Sequence, residues 1–133
     1  MEQSIILDIN DGVAQIPLNR PKSLNSFNTE MHEDMQAALK TVTKDSSVRC
    51  LLLTGNGRGF CAGQDLGDRK QDENAGPPDL GATLDKYYNK VIRTLHNMDM
   101  PVICAVNGVA AGAGANIALA CDIVIAAESA SFI

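Results

Sequence analysis

The stretch PVICAVNGVAAGAGANIALACD, residues 101–122, reads in order as a strand, a glycine-rich turn and a short helix of small residues. Its continuous apolar start predicts a strand covered on both faces of a parallel sheet. From residue 105 to residue 115 only a valine, an asparagine and a second valine are larger than alanine. Glycine and alanine let a ligand approach the main chain closely. We therefore expect this run to be kept clear for a ligand rather than to supply an acid, a base or a metal ligand.

A second glycine-rich turn, TGNGRGFCAGQDL at residues 54–66, follows the other buried strand, VRCLLLTG. Ligands of parallel α/β sheets collect at the carboxyl ends of the strands. The first amides of a helix are unpaired and carry the positive end of its dipole. Two such turns side by side could aim two N–H groups at one developing negative oxygen, as a backbone oxyanion hole. The alternative is that the small residues only let the helix pack tightly on the sheet.

Two phosphate-binding motifs are excluded by the same residues. Gly112-Ala113-Gly114 begins like a dinucleotide fingerprint, but Ile117 stands where its last glycine is required. The Gly-Lys-Ser/Thr sequence of a P-loop is absent. No cluster of His, Cys or acidic residues has ligand spacing, so the sequence predicts no metal site.

The rest of the chain alternates strands with helices, which predicts one α/β domain over residues 1–133 with a largely parallel sheet. Asp11-Gly12 between two apolar-alternating runs predicts a hairpin. Asn28 or Thr29 is expected to cap a helix that ends near Lys44. A charged, proline-containing segment at about residues 68–79 is expected to be a mobile loop. The apolar face of this first helix consists of Met31, Met35, Ala38, Leu39 and Val42. A second amphipathic helix is predicted from the apolar residues Leu84, Tyr88, Val91, Ile92 and Leu95. The run IVIAA at 123–127 predicts a third buried strand.

Composition narrows the class of protein. A net charge of −5 and a pI near 4.8 argue against a nucleic-acid-binding face. The four cysteines form no CxxC pair, so buried, reduced thiols and a cytoplasmic location are expected. Neither a secretory leader nor a segment long enough to span a membrane is recognisable. Because the sequence stops in the apolar run IVIAAESASFI, we expect it to be part of a longer chain.

Three motifs resemble the crotonase (enoyl-CoA hydratase/isomerase) superfamily: LNRPKSLNSFN, GRGFCAGQDL and NGVAAGAGANIALACDIVIAAESASF. The resemblance implies a crotonase-like ββα spiral without its C-terminal helices, and an acyl-CoA substrate. The segments CLLLTGNGRGFCAGQDLGDR, PPDLG and PVICAVNGVAAGAGANIALA are most similar to ring-1,2-epoxyphenylacetyl-CoA isomerases of phenylacetate catabolism, which form oxepin-CoA. An enoyl-CoA hydratase or Δ3,Δ2-enoyl-CoA isomerase of fatty-acid oxidation stays open, as does a non-catalytic acyl-CoA-binding fragment.

Carried over by position, the resemblance makes the backbone N–H groups of Gln64 and Ala113 the donors to the thioester carbonyl oxygen. The resemblance also makes Lys22 a candidate to bind a phosphate of CoA, although it is equally open that Lys22 is a solvated surface lysine. Asp65 and Asp122 are expected to act mainly as turn or cap residues. The coenzyme A contacts are implied for Ala62, Gly63, Gln64, Asp65, Leu66 and Gly112.

One departure from the superfamily pattern bears on the reaction. Asn116 stands where the hydratases carry a catalytic glutamate, and an amide cannot act as a carboxylate base. The resemblance therefore favours isomerisation by one acid/base group, which it puts beyond Ile133. It also implies no cofactor besides the CoA moiety, no nucleic-acid or membrane partner, and a homotrimer or a dimer of trimers. His32, assigned to the polar side of its helix, and His96, near a helix end, are not expected to be catalytic.

Overall fold

The computed structural model describes residues 3–69 and 87–133, which form an α/β fold with two sheets. The strands are β1 Asp8–Asn10, β2 Val13–Leu18, β3 Cys50–Gly55, β4 Gly59–Cys61, β5 Val102–Val106, β6 Val109–Ala110, β7 Ile123–Ala126 and β8 Ser131–Phe132. The helices are α1 Thr29–Lys44, α2 Asn89–Asn97 and α3 Ala113–Leu119. Most of the segment expected to be a mobile loop lies outside the described residues, as does Leu84. That expectation therefore stays a prediction.

The larger sheet has the strand order β1-β2-β3-β5-β7, with an antiparallel β1-β2 hairpin and parallel pairing elsewhere. The hairpin turns at Asp11 and Gly12, whose φ angles are +50° and +81°. Positive φ at both central residues is the geometry that suits a two-residue hairpin, because its twist matches that of the strands. The predicted hairpin and the largely parallel sheet are both confirmed.

A second sheet has three short parallel strands, β4-β6-β8; β4 and β6 lie within the two segments predicted as glycine-rich turns, and β8 was not predicted. From β3 onward, each strand of the larger sheet is followed by one short strand of the smaller sheet: β4 after β3, β6 after β5 and β8 after β7. The chain therefore climbs as a spiral, and each turn of the spiral adds one strand to each sheet. This arrangement sets the two glycine-rich segments next to each other.

Helix α1 begins where the sequence predicts, because the Asn28 side chain accepts the Met31 N–H at 2.9 Å. Its predicted apolar face is buried. The prediction that His32 lies on the polar side of the helix is wrong, because only 1% of the residue is exposed. The centroid of its ring lies 4.7 Å from that of Tyr87 and 4.4 Å from that of Tyr88. The residue borders the apolar face, and the start of α2 covers it.

The predicted strand at the end of the chain forms as β7, which is the last strand of the larger sheet. Asp122, just before it, accepts the Val102 N–H at 2.8 Å, as expected of a turn residue. Ile123 and Ile125 on β7 are 50% and 61% exposed. Among the helices in residues 3–69 and 87–133, none is long and apolar enough to cross a membrane.

Candidate active site

The two glycine-rich segments meet through the smaller sheet. Cys61 of β4 is paired with Ala110 of β6, and the Ala111 N–H donates to the Cys61 carbonyl at 3.0 Å. Gly63 follows with φ +97°, and a Cβ atom on it would lie 3.6 Å from the Ala113 nitrogen. The chain at Gly63 therefore lies directly against the first residue of α3.

The amide of Gln64 has no acceptor among the described residues, whereas the amides of Ala62 and Asp65 are paired. The Ala62 N–H donates to Leu24 O at 2.9 Å, and the Asp65 N–H donates to Phe27 O at 2.8 Å. Across the described ranges, no acceptor is paired with the Gln64 N–H. The Gly63 carbonyl accepts the Phe27 N–H at 2.7 Å. Since C=O and N–H of one planar trans peptide point in opposite directions, the Gln64 N–H points away from Phe27.

Ala113 repeats this arrangement on the second segment. The amides before and after it are paired, Gly112 N–H with Ile133 O at 3.0 Å and Gly114 N–H with Ala111 O at 2.9 Å. The Ala113 N–H has no acceptor in the part of the chain that the structure covers. As the first residue of α3, it carries one of the amides that a helix leaves unpaired. The N–H groups of Gln64 and Ala113, both without an acceptor in residues 3–69 and 87–133, therefore lie on adjoining segments.

Glycine is required at positions 112 and 114 for two different reasons. A Cβ atom on Gly114 would overlap the carbonyl oxygen of Cys61, so Gly114 is needed for α3 to pack on β4. A Cβ atom on Gly112 would meet no atom of the described residues within 4 Å. Glycine is instead favoured at position 112 because the backbone there has a φ of +53° and a ψ of −120°. Tight packing thus accounts for Gly114, whereas none of the described residues fills the space at Gly112, beside the Ala113 N–H.

Two buried or half-buried asparagines hold the turn between β3 and β4. The Asn25 amide donates to Asn56 O and to Gly59 O, both at 3.0 Å. The Asn107 amide donates to Gly57 O at 3.0 Å and to Gly59 O at 3.1 Å. These bonds satisfy carbonyls that the tight turn leaves without a strand partner, and they fix the entry to β4.

Asp65 is engaged within the chain. Its carboxylate accepts the Gly67 N–H at 2.7 Å and lies 3.0 Å from the Arg20 guanidinium. The Gly67 N–H, with the Arg20 charge as a further contribution, lowers the pKa of the Asp65 carboxyl below its ordinary value. These contacts fit the expected structural role of the Asp65 side chain.

The other predicted site residues are spread around this centre. Ala62 is half-buried, Leu66 is 66% exposed, and Lys22 is exposed on a short 3-10 turn at Pro21–Ser23. Asn116 is exposed in α3 and donates its N–H to Gly112 O at 3.2 Å. Their roles toward a ligand stay predictions, as does an acid/base group beyond Ile133.

Sequence reasoning missed two residues that hold the Gln64 segment, Phe27 and Tyr88. Phe27 brackets Gln64 with two backbone hydrogen bonds, and the Tyr88 hydroxyl donates to Gln64 Oε1 at 2.6 Å. Tyr88 was recognised only as part of an apolar helix face. No local signal marks either contact, because the residues are separated by tens of positions in the sequence.

Neither metal ligands nor a reactive thiol adjoin the two amides. Within the described ranges no group of three or more His, Cys, Asp or Glu side chains could hold a metal ion. Burial raises the pKa of the Cys61 thiol to about 11. Among the described residues, the groups at this place that can stabilise negative charge on an oxygen are the two backbone N–H donors.

Comparison with known proteins gives consistent results. The family model described as Enoyl-CoA hydratase/isomerase matches residues 8–133. The chain is 56% identical to 1,2-epoxyphenylacetyl-CoA isomerase of Escherichia coli (strain K12), over all of this chain and 51% of that protein. It is 38% identical to short-chain-enoyl-CoA hydratase of Clostridium acetobutylicum, over 97% of this chain and 48% of that protein. A crystal structure of enoyl-CoA hydratase from Bacillus anthracis superposes with a TM-score of 0.83 at 35% identity, covering 98% of this chain and 50% of that one. The chain thus spans about half the length of the relatives it matches.

Proposed function

The chain belongs to the enoyl-CoA hydratase/isomerase family, and from this premise we propose that it polarises the carbonyl of an acyl-CoA thioester between Gln64 N–H and Ala113 N–H. The observation that carries the proposal is the pair of unpaired amides on adjoining segments. As the α-carbon loses a proton or an adjacent bond opens, negative charge moves onto the thioester oxygen and an enolate forms. Donors that are already fixed in position stabilise that charge without reorganisation in the transition state.

The proposed reaction is an isomerisation, with 1,2-epoxyphenylacetyl-CoA converted to oxepin-CoA. The 56% identity to an isomerase of that substrate supports this choice. Enolate-like charge would help to open the strained epoxide, and the six-membered ring would expand without gain or loss of atoms. A carboxylate beyond Ile133 would move the proton. The role would place the protein in phenylacetate catabolism.

The proposed substrate contacts follow the same segments. The coenzyme A portion would lie along residues 62–66 and near Gly112, and Lys22 would reach a phosphate. No cofactor besides the CoA moiety is required by this chemistry. A homotrimer or a dimer of trimers and a cytoplasmic location complete the proposal.

A hydratase acting on aliphatic enoyl-CoA is the second candidate, favoured by the 38% identity to a short-chain-enoyl-CoA hydratase. Asn116 argues against it, because a neutral amide cannot take a proton from water as a carboxylate does. Product analysis with 1,2-epoxyphenylacetyl-CoA, crotonyl-CoA and a Δ3-enoyl-CoA separates isomerase from hydratase. Acyl-CoA binding without turnover of any of the three would favour a non-catalytic binding chain.

The Ala113→Pro variant of the full-length protein tests the oxyanion role. Proline removes the N–H, and it is tolerated at the first position of a helix, so α3 should still form. The expected loss of kcat is on the order of 100- to 1000-fold, as for other single oxyanion donors. Ala113→Gly, which keeps the N–H, is the matched control and should retain activity. A folded Ala113→Pro protein with parental kcat would contradict the proposal.

A further inference from the structure

We infer that Tyr88 is a positioning residue for the oxyanion site, acting through the Gln64 side chain to hold the Gln64 N–H in its direction. The inference rests on the proposed function. Its central observation is the 2.6 Å hydrogen bond from the Tyr88 hydroxyl to Gln64 Oε1. This bond joins Tyr88, the residue just before α2, to Gln64, whose amide has no acceptor among the described residues.

The Tyr88 hydroxyl is presented by a ring that is itself fixed. Tyr88 is 7% exposed, and its ring contacts His32 edge-on at 4.4 Å between centroids. It also lies 6.2 Å from Phe27 at an angle of 60°. A buried tyrosine whose ring is packed in this way keeps its hydroxyl in one place, and that hydroxyl needs a hydrogen-bond partner. Among the described residues, the Gln64 side chain is such a partner.

Gln64 is thereby held through three hydrogen bonds, none of which uses its backbone N–H. Phe27 accepts the N–H of the following residue, Asp65, and donates to the carbonyl of the preceding one, Gly63. Tyr88 fixes the side chain. The Phe27 N–H holds the Gly63 carbonyl, and through the planar peptide it sets the direction of the Gln64 N–H. The Tyr88 bond adds an anchor on the side chain of the same residue, which restrains displacement of that peptide at Gly63, a glycine with a φ of +97°.

The chain offers a test that separates this role from simple packing. Tyr88→Phe keeps the ring and removes only the hydroxyl. Tyr87→Phe is the matched control, because Tyr87 stacks on His32 at 4.7 Å and is adjacent in sequence. Gln64→Ala removes the acceptor and keeps the backbone N–H. If Tyr88 acts through Gln64, the double variant should lose no more than the stronger single variant, since the two changes remove one interaction.

The readout is the infrared stretch of a ¹³C-labelled thioester carbonyl in phenylacetyl-CoA bound to the full-length protein, measured with kcat and KM. In the parent and in Tyr87→Phe the band should move to lower frequency on binding, as hydrogen bonds polarise the carbonyl. In Tyr88→Phe and Gln64→Ala we expect a smaller shift and a kcat lower by about 10-fold, with KM nearly unchanged. Should Tyr88→Phe fail to fold, Gln64→Met, which keeps chain length without an acceptor, carries the same comparison.

The outcomes separate the two levels of the proposal. A parent protein that binds phenylacetyl-CoA with no shift of the band overturns the oxyanion function, and the role of Tyr88 falls with it. A shifted band in the parent and an equal shift in Tyr88→Phe overturns the role of Tyr88 alone. Additive losses in the double variant, or an equal loss in Tyr87→Phe, would show a packing effect and reject the inference as well.

Discussion

Gly114 lies so close to Cys61 that a Cβ atom on it would overlap the Cys61 carbonyl oxygen. The same carbonyl accepts the Ala111 N–H at 3.0 Å, so the overlap cannot be relieved without loosening the contact between α3 and β4. The separation of the two open amides depends on that contact, since Ala113 begins the helix that carries Gly114.

Gly114→Ala should therefore lower the free energy of unfolding by about 1–3 kcal/mol, the usual cost of overpacking. Urea denaturation followed by circular dichroism measures the change. Leu119→Ala, at a position of α3 that is 66% exposed, is the control and should change the value by less than about 0.5 kcal/mol. A Gly114→Ala protein as stable as its parent would show that α3 can move outward freely.

The contacts of the Asp65 carboxylate with the Gly67 N–H and with Arg20 predict a dependence of stability on pH. Because these contacts lower the pKa of the Asp65 carboxyl below 3.8 in the folded protein, they stabilise it above that pH and lose their effect as pH falls through the lower, folded value. Asp65→Asn should lower the free energy of unfolding by about 1 kcal/mol or less at pH 7. Urea midpoints of parent and variant should converge as the pH is taken below 3.8. A difference that is the same at pH 7 and in acid would show that the ionised Asp65 carboxylate and its contacts do not stabilise the fold.

The cysteines should differ in reactivity. Cys50 is half-buried, whereas Cys61, Cys104 and Cys121 are buried. The raised pKa of Cys61, about 11, leaves little thiolate at pH 8. A short iodoacetamide pulse at pH 8, read by peptide mass spectrometry, should label Cys50 first and the other three only after unfolding in urea. Rapid labelling of Cys61 in the folded protein would be inconsistent with its burial.

The two histidines should contribute very differently to stability. His32 is buried among the rings of Phe27, Tyr87 and Tyr88, and His96 is exposed near the end of α2. His32→Ala should lower the free energy of unfolding by about 2–4 kcal/mol, in the range for removing a buried ring. His96→Ala should change it by less than about 0.5 kcal/mol. Equal effects in thermal or urea unfolding would contradict the assigned burial of His32.

Local signals were enough to predict several elements. Asp11-Gly12 specifies the hairpin turn, Asn28 caps α1, and the uninterrupted apolar runs became β3 and β5. In each case a few adjacent residues carry the physical cause, either a backbone conformation, a side-chain cap or burial on both faces.

Tertiary contacts account for what the sequence did not reveal. Strands β4, β6 and β8 have two or three residues each, too few for a periodic pattern, and they pair with segments far along the chain. The face of His32 depends on what packs against α1, which its own periodicity does not contain. At the site, glycine content pointed to an open backbone, and the resemblance supplied the two donors. The holding contacts of Phe27 and Tyr88 required the fold.

The spiral path of the chain also sets an order in which the strands can pair during folding. Every strand from β5 onward pairs with a strand made earlier: β5 with β3, β6 with β4, β7 with β5 and β8 with β6. A chain leaving the ribosome can therefore add each layer to an edge already built, much as a solenoid repeat docks on its predecessor. Along this path synthesis and folding run in the same direction.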